Sequence, residues 1–143
     1  MPDILQDLPI NAPVERVFDA VTSPAGLDQW WTKTSSGRPV EGTEYSLGFG
    51  PGYDWRARVT RAVPNRAFEL TITVADADWT GSRVGFRLEA RDGRTWMQFH
   101  HIGWNESNDH FRISSHCWAM YLRVLRRWLE HGETVPYEER LDV

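Results

Sequence analysis

Two adjacent histidines, His100 and His101, are the side chains in this sequence best suited to acid–base chemistry. They lie in an alternating stretch, and neighbours on a β-strand point to opposite sides, so only one of them can face the protein interior. The alternation over residues 94–102 assigns His101 to the interior. An inward histidine is more often one satisfied by a backbone carbonyl or a tyrosine than a general acid/base or a ligand anchor.

The strong motifs for metal, hydrolase and nucleotide chemistry are absent from the chain. It contains no HExxH, CxxC, GxSxG or P-loop pattern. Cys117 is the only cysteine, so an internal disulfide and a cysteine-rich zinc site are both excluded. Glu106 and Asp109 do not stand at a ligand spacing from His101. We therefore expect no metal and no cofactor.

Composition narrows the classes of partner. A net charge of −4 does not favour binding to nucleic acid, because such binding depends on positive side chains that neutralise phosphates. No run approaches the roughly 20 apolar residues of a membrane span, and residues 1–15 do not have the pattern of a signal peptide. We expect a cytoplasmic protein with no nucleic-acid or membrane partner. The 8 tryptophans among 143 residues are unusual, and such rigid rings either fill a core or line a cavity.

The sequence predicts a long amphipathic helix over residues 108–131, and this helix must position many of the candidate functional side chains. An Asn or Asp starts it, and Gly132 stands where a left-handed C-cap would end it. In the first half of its apolar face, Ser114 and Ser115 stand between Phe111 and Trp118. These small residues predict either a pocket beside the helix or the close approach of another element.

The rest of the chain predicts a sheet for this helix to cover. Two short helices, 13–21 (capped by Asn11) and 24–30, follow a first strand at 3–10. A polar loop spans 32–42, and residues 133–143 form an acidic tail that we expect to be extended. Alternation predicts five further strands, near 44–49, 53–62, 68–74, 83–89 and 94–102. The predicted fold is therefore α+β: one domain over 1–143, with a curved antiparallel sheet of about six strands wrapped around the C-terminal helix.

This order of elements resembles the START-like, or SRPBCC, superfamily. The resemblance is carried by NAPVERVFDAVTSPAGLDQWW, by TWMQFHHIGW and by the tryptophan-rich last helix. It is closest to bacterial single-domain proteins related to the C-terminal domain of the heat-shock-protein ATPase activators. The resemblance implies a helix-grip fold with a cavity that binds lipids, polyketides or other apolar molecules; a few members are cyclases or dehydratases. The two-domain activators carry a further N-terminal domain, so chaperone activation is not implied.

Three functions follow as hypotheses. The first is binding of an apolar or aromatic small molecule between sheet and helix. The second is a cyclase, dehydratase or hydrolase with His101 as acid/base; binding is favoured over it because no second titratable group except tyrosine faces inward. The third is a protein-interaction role of the chaperone-activator kind. The predicted ligand-binding residues are Tyr45, Phe49, Trp55, Phe86, Phe99, His101, Ser115 and Trp118.

The long helix carries a second apolar stripe, which is relevant to whether two copies of the protein associate. It consists of Ile113, Cys117, Met120, Val124 and Trp128. On the helical wheel this stripe is centred roughly 110° from the apolar face that contains Phe111 and Trp118, so one sheet cannot cover both surfaces. Either the short helices and the tail cover it, or it forms the interface of a homodimer.

Overall fold

The computed structural model describes all residues from 1 to 143 and shows the predicted α+β architecture. One antiparallel sheet contains seven strands in the order β1-β7-β6-β5-β4-β3-β2. In chain order the elements are β1 Ile4–Ile10, α1 Val14–Thr22, α2 Pro24–Trp30, β2 Thr34–Ser36, β3 Glu44–Gly48, β4 Asp54–Val63, β5 Ala67–Val74, β6 Arg83–Arg91, β7 Arg94–Ile102, α3 Asp109–His131 and a short 3₁₀ helix, Tyr137–Asp142. The helix-grip arrangement expected from the sequence is confirmed. None of the helices is both long enough and apolar enough to cross a membrane.

Helix α3 begins and ends as its sequence predicts. The Asn108 side chain accepts a hydrogen bond of 3.0 Å from the backbone N–H of Phe111, which satisfies one of the unpaired donors of the first turn. Gly132 adopts φ 70°, and its N–H donates to the carbonyl of Trp128. A left-handed residue with no Cβ closes the helix without steric cost.

Two predictions about residues 11–42 were wrong. The segment 32–42 is not entirely loop, because Thr34–Ser36 pairs with β3 as a seventh strand. A polar edge strand of three residues is too short to show alternation. Asn11 does not cap α1; the N-cap position is Pro13, with no side-chain hydrogen bond. The backbone N–H of Asn11 instead donates to the carboxylate of Glu130 on α3, at 2.7 Å.

The core lies between the inner face of the sheet and α3. The predicted inward residues of β7 are all buried, as are Phe68, Leu70 and Ile72 on β5. Val74 was predicted to lie on the same face but is 52% exposed. The reason is pairing: β6 accompanies β5 only from Ala67 to Thr71, so the end of β5 extends beyond its neighbour.

The C-terminal segment is not simply extended over the surface. Its 3₁₀ helix packs against α2 and α3. Arg140 is only 5% exposed, and its guanidinium donates to the backbone carbonyls of Thr32 at 3.0 Å, Val135 at 3.2 Å and Asp28. The acidic composition of the tail gave no indication that Arg140 would be buried. This one buried cation attaches the tail to the end of α2 and the loop that follows it.

The second stripe of α3 is covered unevenly. Val124 is fully buried and Trp128 packs against the core, since α1, α2, β1 and the 3₁₀ helix all contact α3. At the other end of the stripe, Ile113 is 61% exposed. The chain therefore covers the C-terminal half of the stripe itself and leaves the N-terminal end open.

Candidate functional site

A cavity of about 320 Å³ lies beside the first half of α3. It is bounded by α3, the hairpin between β3 and β4, the connection between β5 and β6, the end of α2 and the 3₁₀ helix. Its lining residues are Trp31, Phe49, Tyr53, Trp55, Asp76, Trp79, His110, Ile113, Ser114, Cys117, Trp118, Tyr121 and Tyr137. Eight of these thirteen are Phe, Tyr or Trp, so the walls are mainly aromatic.

The helical repeat brings the α3 residues to this wall. His110, Ser114, Cys117, Trp118 and Tyr121 follow one another at spacings of three or four residues or stand on adjacent positions of one face. Ser114 is 5% exposed, and no protein atom hydrogen bonds its hydroxyl. Its small side chain leaves space between larger rings, and its free hydroxyl is available to a bound molecule.

Of the two serines, Ser114 lines the cavity and Ser115 does not. Ser115 lies toward β1, where its carbonyl accepts a 3.4 Å hydrogen bond from the side chain of Gln6. The sequence placed both serines on the apolar face, because 100° per residue does not separate neighbours at the edge of a broad stripe.

The other predicted ligand-binding residues divide into two groups. Phe49, Trp55 and Trp118 line the cavity. Tyr45, Phe86, Phe99 and His101 do not; they are at most 3% exposed and belong to the packed core behind it. The Tyr45 hydroxyl donates to the carbonyl of Thr22 at 2.7 Å, and burial raises the pKa of this phenol. Alternation predicted inward-facing residues correctly, but it could not separate core from cavity wall.

His101 is held in a hydrogen-bonded chain inside the core. The indole N–H of Trp118 donates to its Nδ1 at 3.0 Å, and its Nε2 lies 2.8 Å from the hydroxyl of Ser82. An indole nitrogen can only donate, so Nδ1 must be the acceptor and Nε2 must carry the proton. Ser82 accepts from Nε2 and donates to the carbonyl of Trp79. Burial, with smaller contributions from His100 and His110, lowers the pKa of His101 to about 3. The ring is therefore neutral at ordinary pH.

The histidine that does line the cavity is His110. Its Nδ1 lies 3.0 Å from a carboxylate oxygen of Asp78, whose other oxygen accepts a 3.3 Å hydrogen bond from Asn108. The carboxylate fixes the orientation of the ring, because one ring nitrogen is engaged. Helical periodicity gives no sign of this pairing, because Asp78 lies 32 positions earlier in the chain, in a loop.

Trp79 is the residue that the sequence pattern missed most completely. It lies in the β5–β6 connection, is 7% exposed, and contacts Trp55, His101, Trp104, His110 and Trp118. A connection has no periodicity, so nothing in the spacing marked this ring as buried. Its tryptophan identity was the only signal. Its indole N–H is buried without an acceptor, as is that of Trp104.

Charge is sparse in the cavity and of one sign. No lysine or arginine lines it, and Asp76 is the only carboxylate that does. Burial raises the pKa of Tyr121 to about 12 and also raises that of the Cys117 thiol, so neither group ionises near neutral pH. No group of three or more His, Cys, Asp or Glu residues is arranged to hold a metal ion. Apart from the carboxylate, the cavity offers aromatic faces, the hydroxyls of Ser114 and the tyrosines, and the imidazole of His110.

This fold and this cavity define the class of protein: a START-like, or SRPBCC, domain whose sheet and C-terminal helix enclose an apolar cavity. Within that class, residues 11–130 match the model of the family described as Activator of Hsp90 ATPase homolog 1-like protein. The chain belongs to this family.

Solved structures agree with that assignment. The Aha1 dimer of Colwellia psychrerythraea is 30% identical with a TM-score of 0.83, and the match covers 93% of this chain and 99% of that one. CalU16 of Micromonospora echinospora is 23% identical with a TM-score of 0.76, over 98% and 84% of the two chains. MLL2253 of Mesorhizobium loti is 18% identical with a TM-score of 0.83, over 92% and 99%. The last two show the fold alone. Among curated proteins, none matches the chain significantly.

Proposed function

We propose that this protein binds a small aromatic molecule in the cavity beside the first half of α3. The observation that carries the proposal is the wall itself: eight aromatic rings around about 320 Å³ of space that the chain leaves unfilled. The cavity is open at its mouth, where Tyr53 and Ile113 are more than half exposed, so water reaches its aromatic walls. A ligand that covered this apolar surface would be favoured by the hydrophobic effect.

The dimensions and chemistry of the cavity support an aromatic ligand of modest size. Small-molecule pockets are about 300–1,000 Å³ and mostly apolar, with a few polar groups that fix orientation. This cavity is at the lower end of that range, which suits two or three fused rings. Ser114 and His110 offer polar contacts on one wall, and the hydroxyl of Tyr121 offers one further along the helix.

A neutral fluorescent probe tests the proposal. N-phenyl-1-naphthylamine emits strongly only in apolar surroundings, and we expect it to bind one site per chain with micromolar affinity. Cys117→Trp places a large ring in the cavity and should reduce probe affinity by about tenfold or more. Arg123→Trp is the matched control, because it adds the same ring on the exposed side of the same helix.

The proposal fails if the wild-type protein gives no saturable probe signal, or if both tryptophan variants bind the probe like the wild type. Native mass spectrometry of freshly purified protein provides a second measurement. A retained molecule present in the wild type and absent from Cys117→Trp would identify the natural ligand directly.

The geometry does not support the enzyme hypothesis in the form that the sequence suggested. His101 lies outside the cavity lining, both of its nitrogens are engaged, and its low pKa prevents the neutral ring from taking up a second proton near pH 7. General acid–base work requires a group within hydrogen-bond reach of the substrate. His101 instead lies behind the cavity wall, where it is hydrogen bonded to Trp118 of the wall and to Ser82.

We also propose that the chain forms a homodimer. The solved relative from Colwellia psychrerythraea is described as a dimer, and it is similar to this chain over almost its whole length. The open end of the second stripe on α3, beginning at Ile113 and continuing through Cys117 and Met120, is the apolar surface that a second copy would cover.

A further inference from the structure

The polar atoms at the cavity mouth define what kind of aromatic molecule it would accept. Asp76 follows β5 and is exposed, and its carboxylate forms no hydrogen bond or ion pair with the protein. Asp78, two residues later, is engaged by His110 and Asn108. The cavity therefore presents one free negative charge at its mouth.

Aromatic faces lie beside that charge. Trp79 is three residues beyond Asp76 in the same connection, and Trp55 contacts it with ring centroids 5.1 Å apart and planes inclined at 54°. Phe49 meets the other side of Trp55 at 5.2 Å. Tyr53, 51% exposed, also lines the cavity. These rings line the same cavity as Asp76, and the face of an aromatic ring attracts a cation.

The lysine and arginine side chains nearest to a lining residue are already engaged elsewhere than at Asp76. Lys33 and Arg140 lie over the ring of Tyr137, at 5.9 Å and 5.3 Å, and neither residue lines the cavity. Arg140 is further committed to three backbone carbonyls. No lysine or arginine lies within the lining to neutralise Asp76, and His110, the one basic group there, is paired with Asp78.

From this arrangement we infer that the ligand is an aromatic molecule bearing a cationic amine, with its ring system inside the cavity and its ammonium group at the mouth beside Asp76, Trp55 and Trp79. The inference rests on the proposed function and deepens it. A carboxylate together with aromatic faces recognises an ammonium ion by two additive effects, each modest at a partly exposed position. An anionic ligand would meet Asp76 with no lysine or arginine in the lining to compensate its charge.

Three probes of nearly equal shape separate charge from size. They are (1-naphthylmethyl)trimethylammonium, its neutral isostere 1-neopentylnaphthalene, and the anion 1-naphthylmethanesulfonate. Each competes with N-phenyl-1-naphthylamine for the cavity, so its affinity is read from the loss of probe fluorescence at physiological ionic strength. We expect the ammonium compound to bind about tenfold more tightly than the neutral isostere, and the sulfonate to bind more weakly than both.

Asp76→Asn removes the charge while preserving shape, and no native contact of the carboxylate is lost. We expect this variant to bind the neutral isostere as the wild type does and to lose most of the preference for the ammonium compound. Asp92→Asn is the matched control. It makes the same change of net charge in the β6–β7 hairpin, where φ is 51° and asparagine is well tolerated.

The outcomes distinguish this inference from the proposed function. If the wild type binds the fluorescent probe but prefers the neutral or anionic compound, the inference is overturned and the aromatic cavity stands. If the ammonium preference survives in Asp76→Asn, or falls equally in Asp92→Asn, the assigned role of Asp76 is wrong. If neither the fluorescent probe nor any of the three compounds binds, both the proposed binding function and the inferred preference for a cationic amine are wrong.

Discussion

At the scale of single residues, both ring nitrogens of His101 are engaged inside the core. Trp118 donates to Nδ1 and Ser82 accepts from Nε2, although these partners lie 17 and 19 positions away in the chain. Strand periodicity depends only on backbone geometry, so it predicted the inward direction of the ring, but it could not predict partners that only the fold brings together. For the same reason the candidate site shifted from His101 to His110, whose aspartate partner belongs to a loop.

The buried state of His101 predicts a specific dependence of stability on pH. The histidine pKa is about 6.5 in an unfolded chain and about 3 in the folded protein. Between these values the unfolded chain binds the proton more readily, so the stabilisation is complete above about pH 6.5 and is lost as pH falls toward 3. At 1.4 kcal/mol per pH unit, we expect about 2 kcal/mol to be lost between pH 7 and pH 5.

Urea unfolding at both pH values measures this loss. His101→Gln has no group that titrates in this range, so its pH dependence should be shallower than that of the wild type by about the same 2 kcal/mol. His116→Gln, on the exposed side of α3, is the control and should titrate like the wild type. An equal pH dependence in all three proteins would show that the folded His101 is not protected from protonation.

At the scale of elements, the strongly periodic segments were predicted best. Helix α3 matched its caps at both ends, and the longer strands fell close to their predicted ranges. The short and aperiodic pieces were missed: β2, the buried Trp79 connection and the packed tail. Their structure depends on tertiary contacts, such as those of Arg140, and local sequence carries little information about such contacts.

Arg140 should be the attachment point of the C-terminal segment. Arg140→Ala leaves the carbonyls of Asp28, Thr32 and Val135 without their donor, and we expect a loss of about 2–4 kcal/mol in the free energy of unfolding. The 3₁₀ helix also carries Tyr137 into the cavity wall. We therefore expect weaker binding of N-phenyl-1-naphthylamine by the same variant, read from its fluorescence titration.

Arg123→Ala is the matched control for this experiment. Arg123 is exposed on α3, and its removal should change stability by less than about 0.5 kcal/mol. The loss of stability in Arg140→Lys should lie between those of Arg140→Ala and Arg123→Ala, because one ammonium group cannot satisfy three separated carbonyls at once. Equal losses in Arg140→Ala and Arg123→Ala would mean that the tail is not held by the guanidinium.

At the scale of the whole molecule, the cavity and the uncovered surface meet at the same place. Ile113 and Cys117 line the cavity and also begin the second stripe of α3. Met120 follows seven positions after Ile113, on the same side of the helix. A dimer built on this open end would cover the cavity mouth as well as the apolar residues. Association and ligand exchange should therefore be linked.

Sedimentation and probe kinetics test this link together. We expect the wild type to be dimeric at high micromolar concentration and Met120→Glu to be monomeric, because the interface would otherwise bury an unpaired carboxylate. His116→Glu, on the exposed side of the same helix, should remain dimeric. A monomeric wild type would refute the dimer, and a dimeric Met120→Glu would place the interface elsewhere.

If the dimer covers the mouth, N-phenyl-1-naphthylamine should dissociate more slowly from the wild type as protein concentration rises, since a ligand leaves only after the mouth is uncovered. The same rate should be independent of concentration in Met120→Glu; equal behaviour of the two proteins would show that the dimer leaves the cavity open.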